Sequence, residues 1–134
     1  RLESAESSSF EDGCADVVIS NAVLHFSRNH AHFEAQLEGA WRLLAPGGLF
    51  FSRLGSSIGI ESDVRPLGEG RFLQPEGTEA YLVDEDRLLK ATRRLGGELL
   101  DPIKTTNVQG LRCMTTWVMR KVGSGQSLRS PDAD

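Results

Sequence analysis

The feature that most constrains this chain is the apolar run DVVIS at residues 16–20, in which apolar and polar residues do not alternate. β-Branched runs without alternation are typical of strands that are buried on both faces of a parallel sheet. We therefore expect a central strand at 16–20 with a neighbour on each side. A parallel neighbour requires a crossover connection, usually a helix, so the residues that follow decide the fold class.

A helical period follows the run. Its apolar members fall on one face, namely Phe33, Leu37, Ala40, Trp41 and Leu44. Ser27 or Asn29 can cap the start and Pro46-Gly47-Gly48 ends the pattern, so the sequence predicts a helix over 30–44. The apolar stretch directly behind it predicts a second buried strand over 49–54. Strand, helix and strand in this order indicate a parallel pair with a right-handed crossover.

The segment 55–83 is rich in glycine and proline and has only short apolar pieces. Two of these pieces, 71–74 and 79–83, flank the turn sequence PEGT, which predicts a small hairpin. A long loop with its own hairpin inside an α/β domain is more often a lid or substrate-binding segment than a simple connection. We therefore interpret 55–83 as a lid-like segment.

The remaining sequence predicts a helix over 85–95, followed by strands over 98–108 and 111–122. The link between these two strands is so short that it permits only antiparallel pairing. The residues of 123–134 are mostly glycine, serine, proline and charged side chains, which predicts a disordered tail behind a domain at 1–122.

Composition excludes several classes of protein. Of the 134 residues, 39% are hydrophobic and 25% are charged, which excludes collagen-like and fully disordered chains. The net charge of −4 shows no basic excess, so we expect no nucleic-acid partner. No apolar run is long enough to cross a membrane, so we expect no membrane partner. Cys14 and Cys113 match no metal-binding spacing, and we interpret them as reduced thiols of a cytoplasmic protein that holds no metal.

Three segments resemble those of one family in order and spacing. They are FEDGCADVV at 10–18, SNAVLHF at 20–26 and WRLLAPGG at 41–48. They are similar to the stretch before strand four, the stretch after it, and the helix end before strand five of class I (Rossmann-like) S-adenosylmethionine-dependent methyltransferases. The third is the most specific, since the family's helix ends in Arg, two apolar residues, one further residue and Pro-Gly-Gly. The resemblance covers roughly 4–121 and points to the C-terminal half of such a domain.

The resemblance implies an α/β fold. The family's seven strands run in the order 3-2-1-4-5-7-6, and this chain would supply strands 4, 5, 7 and 6 of a partial Rossmann-like sheet. Two main helices, a loop and hairpin insertion and a C-terminal antiparallel hairpin complete the expected fold. The family's glycine-rich loop and its ribose-binding acidic residue would precede Arg1. We therefore expect a fragment that lacks most of the cofactor site and is inactive in isolation.

The resemblance also implies S-adenosylmethionine as the cofactor and places two segments beside it. Ser4, Ala5 and Glu6 match an Asp-Ala pair that contacts the adenine, with serine standing where the family has the acid. Asn21, Ala22 and Val23 match positions beside the cofactor after strand four, at the carboxyl edge of the sheet where open α/β folds bind ligands. A plain turn or capping role for Asn21 is the alternative.

Residues on the acceptor side follow from the same resemblance. His25 matches a place that faces the methyl acceptor, and it is a candidate base, with packing between strand and helix as the alternative. Arg53, at the end of the second strand, suits a bidentate contact with an anionic acceptor, or is a solvated strand-end arginine. The lid-like segment offers four side chains that would close over a small acceptor, namely Arg65, Arg71, Phe72 and Tyr81. For Phe72 and Tyr81, packing of the hairpin onto the body is the alternative.

Two functions remain open. The first is methyl transfer to a small-molecule acceptor by a parent enzyme. The second is a non-catalytic half-domain that pairs with another chain through strand 16–20, because an apolar strand without its neighbour is an open edge. A homodimer or edge-strand pairing is then expected. A dinucleotide-binding domain of the dehydrogenase kind fits less well, because the terminal antiparallel hairpin resembles the methyltransferase arrangement.

Overall fold

The computed structural model of this chain describes residues 9–122. In chain order the elements are β1 (Ala15–Asn21), a 3-10 turn (Leu24–Phe26), α1 (His30–Leu43), β2 (Leu44–Ser56), β3 (Arg65–Gly68), β4 (Arg71–Leu73), β5 (Glu79–Tyr81), α2 (Glu85–Leu95), β6 (Gly97–Leu99), β7 (Lys104–Val108) and β8 (Arg112–Lys121). Among these elements, neither helix has the length and apolar character needed to cross a membrane.

The main sheet has the strand order β1-β2-β8-β6, and β7 also pairs with β8. Strands β1 and β2 are parallel, whereas every pair that involves β8 is antiparallel. This is the order expected for family strands 4, 5, 7 and 6, so the predicted α/β class with a partial Rossmann-like sheet is confirmed. A second sheet, β3-β4-β5, lies within the lid-like segment and contains the predicted hairpin.

Helix α1 begins at a side-chain cap. The Oδ1 atom of Asn29 accepts a hydrogen bond from the backbone N–H of His32 at 2.8 Å, which satisfies one of the free donors of the first turn. The helix ends at Leu43, and β2 starts directly at Leu44, so the Pro-Gly-Gly sequence lies inside the strand. A Cβ on Gly48 would lie 3.1 Å from the carbonyl oxygen of Asp16, so glycine here lets β1 and β2 approach.

Helices α1 and α2 cover the same face of the main sheet, which we call the covered face. The ring of Phe50 on β2 lies 6.3 Å from that of Trp41 on α1 and 5.8 Å from that of Trp117 on β8. The indole N–H of Trp117 donates to the hydroxyl of Thr92 on α2 at 3.0 Å. The indole N–H is the one polar group of the Trp117 side chain. Because it is paired, the full burial of Trp117 leaves no polar atom of this side chain unsatisfied.

The opposite face of the sheet, which we call the open face, carries apolar side chains that no element in residues 9–122 covers. Ile19 is 68% exposed, Val17 52% and Phe51 38%. The prediction that strand 16–20 is buried on both faces is therefore not met in this structure. Strand β1 is also the edge of the sheet, since within the described range it pairs only with β2.

Two further differences from the predicted elements have local causes. The expected strand 98–108 is split into β6 and β7, because Pro102 has no N–H to donate to a ladder. Both pieces pair with the same edge of β8. Strand β3 was not predicted, because it is short and contains Pro66 and Gly68, residue types that are uncommon in strands. It pairs only with β4 among the described strands. The predicted tail at 123–134 lies outside the described residues.

Candidate functional site

A cavity of about 320 Å³ lies at the carboxyl ends of the two parallel strands. Ala22, directly after β1, and Arg53 and Gly55, near the end of β2, form one wall. The β4–β5 turn, with Gln74, and the start of β8 form others. The volume falls within the usual range for small-molecule sites, about 300–1,000 Å³, and the carboxyl edge is where open α/β sheets bind ligands.

His25 lies against β2 because Gly55 has no side chain. A Cβ on Gly55 would approach the Cβ of His25 and the Cδ2 of Leu82 to 3.1 Å each. The backbone N–H of Gly55 donates to Nδ1 of His25 at 3.3 Å. With Nδ1 accepting, the neutral ring carries its proton on Nε2. The ring therefore presents an N–H donor rather than a free basic nitrogen.

The electrostatic surroundings keep this imidazole neutral. Burial lowers the pKa of His25 below 6.5, and the nearby guanidinium groups of Arg112 and Arg53 lower it further. The same ring lies beside Phe26, with the ring centroids 4.5 Å apart. The phenyl ring is 70% exposed and also lines the cavity. The two rings, tilted by 41° against each other, together form a largely apolar wall.

Arg53 and Arg112 are the cations of the cavity. Within residues 9–122, no hydrogen bond or ion pair is made by either guanidinium group. The acidic lining residues are engaged elsewhere: Glu79 lies 3.9 Å from Arg71, and Glu76 accepts a hydrogen bond from the hydroxyl of Thr78 at 3.1 Å. The cavity lining therefore holds two guanidinium groups and two carboxylates, and neither guanidinium forms an ion pair with a carboxylate of residues 9–122.

Arg112 was not among the residues singled out from the sequence. Its place follows from the register between β2 and β8, in which Arg53 lies opposite Thr116 and Gly55 opposite Met114. Side chains alternate along a strand, so Arg112, two residues before Met114, shares its face. The alternation of β8 was visible in the sequence, but the register was not.

The three residues matched to the cofactor side of the family form a turn at the same edge. Asn21 ends β1, Val23 is 43% exposed, and Ala22 has a φ of 58°. The left-handed backbone of Ala22 is unusual for a residue with a side chain and is held by a hydrogen bond from its N–H to the carbonyl of Arg53 at 2.7 Å. Ser4, Ala5 and Glu6 lie outside the described residues.

Tyr81 anchors the lid-like segment to the body instead of facing the cavity. It is fully buried, its hydroxyl lies 2.7 Å from Nδ1 of His30, and its ring stacks on Phe33 with centroids 4.8 Å apart. Burial raises the pKa of Tyr81, so the phenol stays protonated. The alternative role given above, packing of the hairpin onto the body, is the one that this geometry supports.

The other three predicted lid side chains also lie off the cavity. Arg71 donates to the carbonyl of Ser27 at 2.7 Å, Arg65 is exposed and Phe72 is half-buried. None of the three lines the cavity. The segment does border it, through the β4–β5 turn and the residues Ala80 and Leu82. The segment therefore borders the cavity through residues other than the four predicted ones.

The described residues offer no metal site. No group of three or more histidine, cysteine, aspartate or glutamate side chains in 9–122 is arranged to hold an ion. Cys14 is exposed and Cys113 is buried, and the two do not form a disulfide. Burial raises the pKa of the Cys113 thiol, which keeps it in the unreactive protonated form.

Comparison with known proteins gives a family match over part of the chain and a shared fold. Residues 1–52 match a family model described as a methyltransferase domain. A SAM-dependent methyltransferase from Methanosarcina mazei has 19% identity and a TM-score of 0.73, over 92% of this chain and 67% of that one. The 1,6-didemethyltoxoflavin-N1-methyltransferase of Burkholderia thailandensis has 16% identity and a TM-score of 0.64, over 88% and 48%. No curated protein matches the chain.

These matches confirm the resemblance to class I S-adenosylmethionine-dependent methyltransferases, whose fold the described residues share. The chain spans 67%, 48% and 56% of the length of the first three solved structures it matches. The same fold also occurs in the [4+2]-cyclase SpnF, with 14% identity and a TM-score of 0.66, over 92% of this chain and 56% of that one. Since one fold serves more than one reaction, function has to be argued from the site.

Proposed function

We propose that this chain carries the acceptor side of an S-adenosylmethionine-dependent methyltransferase that acts on a small molecule. The observation that carries the proposal is the cavity at the carboxyl ends of β1 and β2, bordered by His25, Arg53 and the lid-like segment. The family match over residues 1–52 supports methyl transfer as the reaction class. The volume of about 320 Å³ suits a small acceptor rather than a macromolecule.

The cofactor would lie against the turn that follows β1. S-Adenosylmethionine supplies an electrophilic methyl group on a sulfonium. The strained backbone of Ala22 and the exposed side chains of Asn21 and Val23 form a surface that can adjoin such a group. Within residues 9–122, no glycine-rich turn leads directly from a strand into a helix, so these residues supply only part of a cofactor site. We expect 9–122 alone to bind the cofactor weakly.

The chain's own residues act by positioning and by excluding water. Phe26, Leu82 and Met114 give the cavity apolar walls. His25, neutral and with its proton on Nε2, donates a hydrogen bond to the acceptor instead of removing a proton from it. Because methyl transfer is an in-line displacement, holding the acceptor in line is the main task of the protein.

Methyl transfer is tested with the protein at its full natural length. Isothermal titration with S-adenosylmethionine and, separately, with a nicotinamide dinucleotide reports the cofactor class. Release of S-adenosylhomocysteine in the presence of a panel of small acceptors reports the reaction. We expect the sulfonium to bind and the dinucleotide not to. Binding of the dinucleotide alone would overturn the proposal.

The second candidate is a half-domain that pairs with another chain through β1. It is favoured by one observation, the exposure of Val17 and Ile19 on a strand whose outer edge has no partner among residues 9–122. Pairing at this edge gives a dimer or a mixed complex without requiring catalysis. Sedimentation of the 134-residue chain over a wide range of concentrations tests it. A clean monomer at every concentration would count against this candidate.

A further inference from the structure

The two cavity arginines lie on the same face of neighbouring strands. Arg53 lies in β2 and Arg112 at the start of β8, with Met114 opposite Gly55 in the register between them. Both guanidinium groups border the same space as His25. The planar guanidinium fork fits carboxylate and phosphate oxygens, so a pair of such groups at one cavity is suited to an oxyanion.

No carboxylate of the described chain forms an ion pair with either guanidinium group, although Glu76 and Glu79 border the same cavity. Glu79, which also borders the cavity, lies 3.9 Å from Arg71, and Arg71 in turn donates to the carbonyl of Ser27. Glu76 accepts from Thr78. Arg94 of the described chain, for comparison, forms ion pairs with Glu34 and Glu38. By contrast, Arg53 and Arg112 make no such pair within 9–122.

One wall of the cavity is apolar. The exposed ring of Phe26 lies beside His25, and Leu82 and Met114 complete the wall. An anion without an apolar body would leave this wall in water, whereas an apolar body would cover it. The neutral state of His25 adds a donor without adding a third positive charge.

We propose that the methyl acceptor is a small organic oxyanion, with an apolar body, whose carboxylate or phosphate group binds Arg53 and Arg112. The assignment rests on the proposed function and names its substrate class. Loss of a charge-assisted hydrogen bond costs about 1.5–3 kcal/mol, which is roughly a tenfold to hundredfold loss of affinity.

The test uses matched acceptors with the full-length protein. Each aromatic carboxylic acid is paired with its amide, and each aryl phosphate with its neutral dimethyl triester, so that the main difference within a pair is the charge. We expect turnover of the anionic member of each pair, and the acid and phosphate arms distinguish the two sources of the oxyanion. Turnover of neutral members alone would overturn the anion assignment and leave methyl transfer intact, whereas absence of S-adenosylmethionine binding would overturn methyl transfer itself.

Variants give an independent reading. Arg53→Gln and Arg112→Gln are expected to raise KM for the anionic acceptor by about tenfold or more, with kcat changed far less, because they remove binding of a remote group. Arg120→Gln is the matched control, since Arg120 is an exposed arginine on β8 that does not line the cavity. An equal rise in KM for the control, or no rise for the two cavity variants, would overturn the proposal. Circular dichroism and cofactor affinity establish that each variant is folded.

Discussion

The two faces of the main sheet are both rich in apolar side chains, yet their surroundings differ. On the covered face, Phe50, Trp117 and Met119 are at most 1% exposed beneath α1 and α2. On the open face, Val17 and Ile19 are more than half exposed, although their strand β1 pairs directly with β2, the strand that carries Phe50. The apolar pattern of a strand therefore indicates which of its faces are suited to packing. The exposure of its side chains shows which faces are packed within residues 9–122.

The open face is itself divided along the strands. Toward the start of β1 and β2 it is apolar, and toward their carboxyl ends it becomes the cavity with Arg53 and Arg112. Apolar area left in water forgoes about 25 cal/mol per Å² of stabilisation. The apolar half is therefore suited to burial against another surface, and the polar half is suited to a ligand.

The largest expected effect compares neighbours that face opposite ways. Trp117→Ala removes a fully buried ring and the partner of the Thr92 hydroxyl, so we expect a loss of about 3–5 kcal/mol of unfolding free energy. Val118→Ala, on the open face, is expected to cost about 1 kcal/mol or less. Urea denaturation measures both. Equal losses of unfolding free energy at the two positions would contradict the conclusion that only the covered face is packed.

A smaller effect is expected at the cavity end of the open face. Gly55→Ala places a Cβ within 3.1 Å of His25 and Leu82, and we expect a loss of about 1–3 kcal/mol together with displacement of the imidazole. Leu82→Ala in the same chain removes one of the two obstacles. If the double variant binds acceptor no better than Gly55→Ala alone, His25 is the group that the added methyl displaces.

The pH dependence of stability reports the environment of His25. Its pKa is lowered in the folded chain, so between that pKa and 6.5 the unfolded chain binds a proton that the folded chain does not. The free energy of unfolding should therefore fall as the pH drops below about 6.5, and fall less in His25→Gln. Denaturation across this range, with the ring signals followed by nuclear magnetic resonance, checks it. A midpoint of the His25 ring at or above 6.5 would contradict the assigned surroundings.

The smallest expected effect on stability is at the apolar half of the open face. Ile19→Lys replaces a side chain that is 68% exposed, and the unfolding free energy of the isolated chain should change by no more than about 0.5 kcal/mol. Association of the chain should weaken, because a lysine on an edge strand discourages pairing. Sedimentation measures the second effect. A strongly destabilised monomer would show that Ile19 is already packed in the isolated chain.

The sequence pattern predicted the bounds of an element well where capping residues mark its two ends. The second helix, 85–95, has the bounds expected, because Asp84 caps its start and Gly96, with a φ of 73°, ends it. The order of the strands came from the resemblance, since no local signal tells which strand lies beside which. The composition of β1 alone predicted burial on both faces, whereas its open edge was expected only from the resemblance, in which the neighbouring strand belongs to the other half of the domain.

The site was predicted in part for a related reason. His25 lies in the 3-10 turn after β1, and Arg53 lies near the carboxyl end of β2, so the carboxyl-edge rule places both at the cavity. Arg112 needs the register of an antiparallel pair between residues far apart in sequence, which no local pattern gives. Tyr81 was assigned to the lid from its segment alone, whereas its burial depends on His30 and Phe33 of a distant helix.

The position of β8 has a consequence for how the chain folds. It lies between β2 and the β6–β7 edge, yet it is the last described strand to be synthesised. Its Lys121 also donates to the carbonyls of Trp41 and Leu44, at 3.0 and 2.8 Å, where α1 ends. Strand β2 therefore pairs with a strand that is synthesised up to about seventy residues later, as in the pair of Leu49 with Arg120. Pairing between residues so far apart in sequence makes folding slow. Until β8 has been synthesised, the apolar surfaces of β1 and β2 lack this partner, and exposed apolar surfaces of this kind are what chaperones bind.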